Sequence, residues 1–145
     1  MLSSFVHFSA RFTLVFWLVS FTFYAGIVIP AGTEALGAIQ QGFVTQRVTA
    51  ALNILATLTV SLLLLARPVT GSKRTFWCIW LVMVVCQTAL FPLRMTLTNR
   101  LDFELGVVRE GTNFYVMHQV YLWVSILQWL SGIAMLVLVR RNKRM

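Results

Sequence analysis

Residues 111–144 read GTNFYVMHQVYLWVSILQWLSGIAMLVLVRRNKR. From Gly111 to Val139 there is no Asp, Glu, Lys or Arg, the longest uncharged run in the chain, and Arg140, Arg141, Lys143 and Arg144 follow it. A bilayer crossing takes about 20 predominantly apolar residues. The run therefore predicts a membrane-spanning helix, and the basic tail predicts that it ends in the cytoplasm. Asn113, His118, Gln119, Ser125, Gln128 and Ser131 interrupt the apolar pattern. In hydrocarbon such groups need protein partners, so they mark the side of the helix turned away from lipid.

Three more runs of this kind precede it, and the four predicted spans cover about 12–29, 47–66, 76–93 and 114–139. The chain is 59% hydrophobic and only 11% charged, which excludes an ordinary soluble globule. The expectation is one integral membrane domain over 1–145: an all-α, four-transmembrane-helix antiparallel bundle. The first run exceeds a typical signal-peptide core and its leader is weakly basic, so an uncleaved first span is expected.

Charge gives the orientation. With four spans, Arg11, Arg67, Lys73, Arg74, Arg140, Arg141, Lys143 and Arg144 share one side, with no acid among them. The other side mixes Arg47, Arg94, Arg100 and Arg109 with Glu34, Asp102, Glu104 and Glu110. The whole net charge of +8 then lies on one face, which places both termini in the cytoplasm. This reading of the basic residues also displaces nucleic acid as a partner.

The connections differ in character. Residues 31–46 read as a loop or short interfacial helix after a first span that stops near Pro30, and 67–74 as a tight turn with Pro68 and Gly71. Trp77 and Trp80 open the third span as interfacial aromatics, and Pro92 loosens its end. Between helices 3 and 4, Leu97, Leu101, Leu105 and Val108 form one stripe, which predicts a short amphipathic segment or an extension of the neighbouring helices. In the second span Thr49, Asn53, Thr57 and Ser61 recur every four residues and predict a polar packing seam.

Several short motifs, taken together, resemble the transmembrane protein 205-like family and its bacterial four-span relatives. They are Leu36-Gly37-Ala38-Ile39-Gln40-Gln41 after span one, Phe91-Pro92-Leu93-Arg94 at the end of span three, and Asn113-Phe114-Tyr115-Val116-Met117-His118 opening span four. Leu93 separates a Pro-Arg pair that is contiguous in that family, Gln119 stands where Gly is usual, and Gln128 replaces an earlier Asn. The resemblance implies four spans and a membrane location. Some members are associated with handling of platinum drugs, and the family implies no agreed biochemical activity.

The candidate functional or interhelical polar residues are His118, Asn113, Asn53, Gln87, Gln128, Arg94 and Arg47. As a helix, 111–139 would be roughly 43 Å long against a hydrocarbon core of about 30 Å, which puts His118 at the outer interface rather than mid-bilayer. There it reads first as a structural hydrogen-bonding group, then as a binding or proton-linked one, and last as a metal or single axial haem ligand. His7 lies on the opposite side, so two-histidine haem ligation is excluded. Asp102, Glu104 and Glu110 are interspersed with arginines and read as a solvated loop rather than a metal site. Arg47, Arg94 and Glu34 are candidates for ion pairs at the outer boundary. Phe16, Trp17, Phe21, Phe23 and Tyr24 surround span one and predict lipid or partner contact. Cys78 and Cys86 read as small buried hydrophobes, about 12 Å apart along a helix and too far for a disulfide.

No nucleophile elbow, activated cysteine or glycine-rich phosphate loop is present, and no catalytic residue, cofactor or metal is expected. The expected role is a non-enzymatic accessory or structural subunit of the plasma membrane (the inner membrane in a bacterium). Its partners would be the lipid bilayer and either copies of itself, as a homo-oligomer, or other membrane-protein subunits. The alternative is a small-solute carrier or channel acting as an oligomer.

Overall fold

The computed structural model describes residues 2–66, 73–102, 107–108 and 114–141. In chain order the elements are α1 (Leu2–Phe23), a π-turn (Tyr24–Val28), α2 (Ile29–Leu36), α3 (Ala38–Leu65), α4 (Lys73–Asn99), strands β1 (Leu101–Asp102) and β2 (Val107–Val108), and α5 (Phe114–Arg141). Four helical segments are long and apolar enough to cross a membrane: Ser4–Leu36, Ala38–Leu65, Lys73–Asn99 and Phe114–Arg140. Helices suit that setting because each satisfies its own backbone groups. Side-chain hydroxyls follow the same rule. Those of Thr13, Thr22, Thr59 and Thr88 donate to carbonyls three or four residues back in their own helices.

α1 packs against α3 and α5, and α4 packs against the same two, so the four long helices close a ring around one core. Each buries a seam that returns every seven residues, in places through an intermediate step of three or four. On α1 it runs Ala10, Leu14, Trp17 and on to Tyr24; on α3 Leu52, Ala56, Thr59 and Leu63; on α4 Phe76, Met83, Leu90 and Leu97; on α5 Tyr121, Ser125, Gln128 and Met135. This spacing keeps one face toward the neighbours and gives knobs-into-holes packing. Lipid is as apolar as these side chains, so close packing rather than escape from water holds the helices together. Gly132 on α5 shows this directly. It is buried, and a Cβ there would lie 2.6 Å from Cζ3 of the Trp17 ring and 3.0 Å from Cδ2 of Leu18.

The every-fourth-residue column on α3 is not the buried seam. Asn53 is buried, Thr49 half-buried, and Thr57 and Ser61 exposed. A step of four on a helix of 3.6 residues per turn advances about 40° each time, so the column leaves the packed face within two steps. The aromatic set on α1 splits in the same way. Trp17 and Tyr24 face the core, whereas Phe16 and Phe23 face outward. Phe8, Phe12 and Phe16 stack on that outer side, with centroids 6.2 and 6.1 Å apart. Cys86 is buried as expected, but Cys78 is exposed, and both thiols are free.

The first helix does not stop at Pro30. The π-turn carries it onward, and Pro30 sits in the first turn of α2, where a missing N–H costs little. Residues 31–46 are accordingly helical apart from Gly37, and Pro92 lies inside a helix that continues to Asn99. Between α4 and α5 there is no amphipathic helix over 101–102 and 107–108. These residues pair as an antiparallel two-residue ladder, Leu101 with Val108 and Asp102 with Val107. The expected turn at 67–74 ends earlier, since Lys73 and Arg74 open α4, and its residues 67–72, together with Glu104, Leu105, Arg109, Glu110 and Asn113, lie outside the described residues.

Gly37 makes the corner between α2 and α3 with φ 82° and ψ 158°, a region essentially closed to side-chain-bearing residues. Gly37→Ala is expected to destabilise the detergent-solubilised protein by about 1–3 kcal/mol in thermal unfolding, although nothing crowds its Cβ. An unchanged midpoint would show that the corner relaxes freely.

Candidate functional site

A polar layer crosses the core where α3, α4 and α5 meet. Gln87 is its hub. Its Nε2 donates to the Asn53 carbonyl at 2.9 Å and to Thr57 Oγ1 at 3.0 Å. Its Oε1 accepts from Gln128 Nε2 at 2.6 Å. Thr57 also donates to the Asn53 carbonyl, at 2.8 Å. Gln87, Gln128 and Asn53 are 5%, 2% and 7% exposed, so the layer is buried except at Thr57, which forms its exposed edge. A glutamine amide can donate and accept at once, which is what a hub between three helices requires.

Seven residues from Gln87 along α4, a second polar group forms around Arg94. Arg94 Nη2 donates to the Gln46 carbonyl at 3.1 Å, and Thr98 Oγ1 donates to Gln46 Oε1 at 2.7 Å. The ion pair with Glu34 does not form: Glu34 is exposed on α2, and Arg94 uses a backbone carbonyl instead. Tyr121 is buried against Leu90 and Leu97, and its backbone carbonyl accepts from Ser125 Oγ at 2.8 Å. Two donors here have no partner although their atoms are buried, Asn53 Nδ2 and Arg94 Nε.

The other candidates stand apart. Arg47 is exposed, and Asn113 lies outside the described residues. His118 is half-buried on the α5 seam, its ring stacked on Phe114 at 6.1 Å and 7°. His7 does not approach it: Arg11, one turn beyond His7, meets the Val139 carbonyl, far along α5 from His118. Among the described residues no three His, Cys, Asp or Glu side chains gather as a metal site would need. Trp77 is exposed, whereas Trp80 turns inward and donates to the Val60 carbonyl at 3.0 Å.

Sequence reasoning missed Tyr121, Gln46 and Gln41. Tyr121 lies seven residues before Gln128, which puts it on the same stripe and was the available signal. Gln41 is buried under α2, where its side chain occupies the space a Cβ on Gly32 would need. Beside it Tyr24 donates to Thr45 Oγ1 at 2.8 Å, fastening the π-turn to α3.

The glutamine layer contains no group that ionises near neutral pH, so its chemistry is hydrogen bonding between helices. Compared with protein-family models, with curated proteins and with solved structures, the chain gives no match.

Proposed function

We propose that this chain is a small multi-pass membrane protein that acts without catalysis, as an accessory or structural subunit associating with itself or with a larger membrane complex. The plasma membrane, the inner membrane in a bacterium, is the proposed location. The observation that carries this reading is the closed glutamine layer. The bond between Gln128 and Gln87 crosses the level a solute would have to pass. A carrier would instead need an open polar passage at Asn53 and Gln128.

An antiparallel arrangement is supported by the side-chain contacts. Partner numbers fall on one helix as they rise on the other: Gln46 with Arg94, Asn53 with Gln87, Val60 with Trp80, and Arg11 with Val139, Thr22 with Trp129. Cytoplasmic termini are supported by the basic residues Arg11, Lys73, Arg74 and Arg140 at the corresponding helix ends. Kinship with the transmembrane protein 205-like family belongs to the same proposal and rests on the short motifs around Gly37, Arg94 and His118.

Association needs an outward-facing feature. An apolar groove of about 320 Å³ lies between α4 and α5, lined by Cys78, Ile79, Val82, Leu130, Ser131 and Ala134. Small side chains in such a groove allow close approach of another helix. Purified in mild detergent from its native membrane, the full chain is expected to run as a defined oligomer or with a stoichiometric partner. Ser131→Trp, which fills the groove without touching the glutamine layer, is expected to weaken that association about tenfold or more. An inert monomer, or an assembly indifferent to Ser131→Trp, would count against the proposal.

A further inference from the structure

We propose that the groove between α4 and α5 seats an acyl chain of an anionic phospholipid, whose phosphate is held at the groove's end by Arg74 and Arg140. The inference goes beyond the subunit reading and does not need it. The lipid is the occupant of the groove in a single chain, and a partner helix would displace it.

The groove is a slot suited to hydrocarbon. Its walls are Cys78, Ile79 and Val82 from α4 and Leu130, Ser131 and Ala134 from α5. Ser131 donates to the Leu127 carbonyl at 2.8 Å, so its hydroxyl is satisfied within its own helix and asks nothing of an occupant. The volume of about 320 Å³ lies at the small end of the range for ligand clefts.

The bond between Gln87 and Gln128 fixes how the two helices stand against each other. From it the groove lies toward lower numbers on α4 and higher numbers on α5. The same direction leads, after about 20 Å of α4 and about 18 Å of α5, to Arg74 and Arg140. The two arginines therefore reach one level. Arg74 stands one turn, about 6 Å, beyond Cys78, and Arg140 about 9 Å beyond Ala134. Lys73, Arg74 and Arg140 are all exposed. Long basic side chains reach a headgroup while their stems cover apolar surface.

Charge selects the kind of lipid. The chain has four acids: Glu34 on α2, Asp102 in β1, and Glu104 and Glu110 between α4 and α5 in the sequence. All four belong to the connections at the other end of these helices, so no carboxylate of the chain balances Lys73, Arg74 and Arg140. Arg11 adds a further base at this end, where its guanidinium meets the Val139 carbonyl. A basic cluster at the mouth of an apolar slot between membrane helices matches both halves of a phospholipid, and the guanidinium fork suits phosphate.

The test is thermal unfolding of the full chain in dodecyl maltoside, with tryptophan emission as the signal. Dioleoyl phosphatidylglycerol is titrated beside dioleoyl phosphatidylcholine, which has the same chains and no net charge, and beside glycerol phosphate, which has no chains. A saturable rise of about 3 °C or more is expected with phosphatidylglycerol alone, because a ligand that binds only the folded state stabilises it. In the double variant Arg74→Gln, Arg140→Gln the half-saturating concentration should increase about tenfold. In Ser131→Trp, which fills the groove, the rise should be lost. Arg47→Gln, which removes a base from the opposite end, should keep it. Should Ser131→Trp fail to fold, the arginine variants, exposed at helix ends, carry the test. Light scattering on the same samples reads assembly separately: a defined oligomer indifferent to the lipid overturns this proposal and leaves the subunit reading intact. No rise, an equal rise with phosphatidylcholine or glycerol phosphate, a response unchanged in the arginine variants, or one equally weakened in Arg47→Gln would also overturn it.

Discussion

Gly132→Leu is expected to cost about 3 kcal/mol or more, the largest loss from any single substitution named here. The Trp17 ring lies directly over the Gly132 backbone, and both Trp17 and Leu18 are core residues. A leucine would have to displace an indole that is only 1% exposed, with no free space to receive it. The alternative is to push α1 away from α5, which strips contacts along the whole seam. In lipid those contacts are the principal attraction between helices, so their loss is not offset by renewed exclusion of water. Gly132→Ala should lie between leucine and wild type, because the added methyl alone already overlaps the ring. Unfolding in a graded detergent mixture, with tryptophan emission as the signal, measures both. Wild-type stability in Gly132→Leu would mean that α1 and α5 do not approach at this point.

The second large effect is expected at Gln87. Gln87→Leu removes the acceptor of Gln128 Nε2 and the donor to Thr57, leaving a 2% exposed amide on α5 with nothing to bond. The cost of such a stranded group is about 1–3 kcal/mol. Its sign is clear, but part of it reflects the desolvated partner rather than the worth of the bond. The double variant Gln87→Leu, Gln128→Leu removes both partners together. It is expected to lose less than the sum of the single losses, with a coupling of about 1 kcal/mol. Strictly additive losses would show that the two glutamines do not share a hydrogen bond.

Some of this arrangement can be read directly from residues. Long uncharged runs reveal the four helices because few other structures satisfy the backbone in hydrocarbon. A lone glutamine such as Gln87 or Gln128 in such a run is legible as a group that needs a partner. Which partner it takes is not, because that depends on which helices are neighbours and how they rotate. In soluble proteins the apolar stripe gives that rotation. Here both faces are apolar, so hydropathy carries no inside-outside signal and the buried seam is coded by size and shape. Gly132 under Trp17 is an example: neither residue stands out until the two helices are side by side. The continuation through Pro30 was hidden for a different reason. Proline is read as a stop, and a π-turn just before it absorbs the misfit without leaving a mark in composition.

The bond between Gln128 and Gln87 also bears on how the protein is made. Helices α3 and α4 can join as soon as both are synthesised, because the Gln87 amide nitrogen finds its acceptors on α3. The Gln87 side-chain carbonyl oxygen must wait for α5, which leaves the ribosome after α3 and α4. Until then a polar atom faces the membrane interior at the junction, and shelter must come from water, lipid headgroups or the insertion machinery. Docking of α5 closes it, so one amide pair ties the arrival of α5 to the sealing of the core.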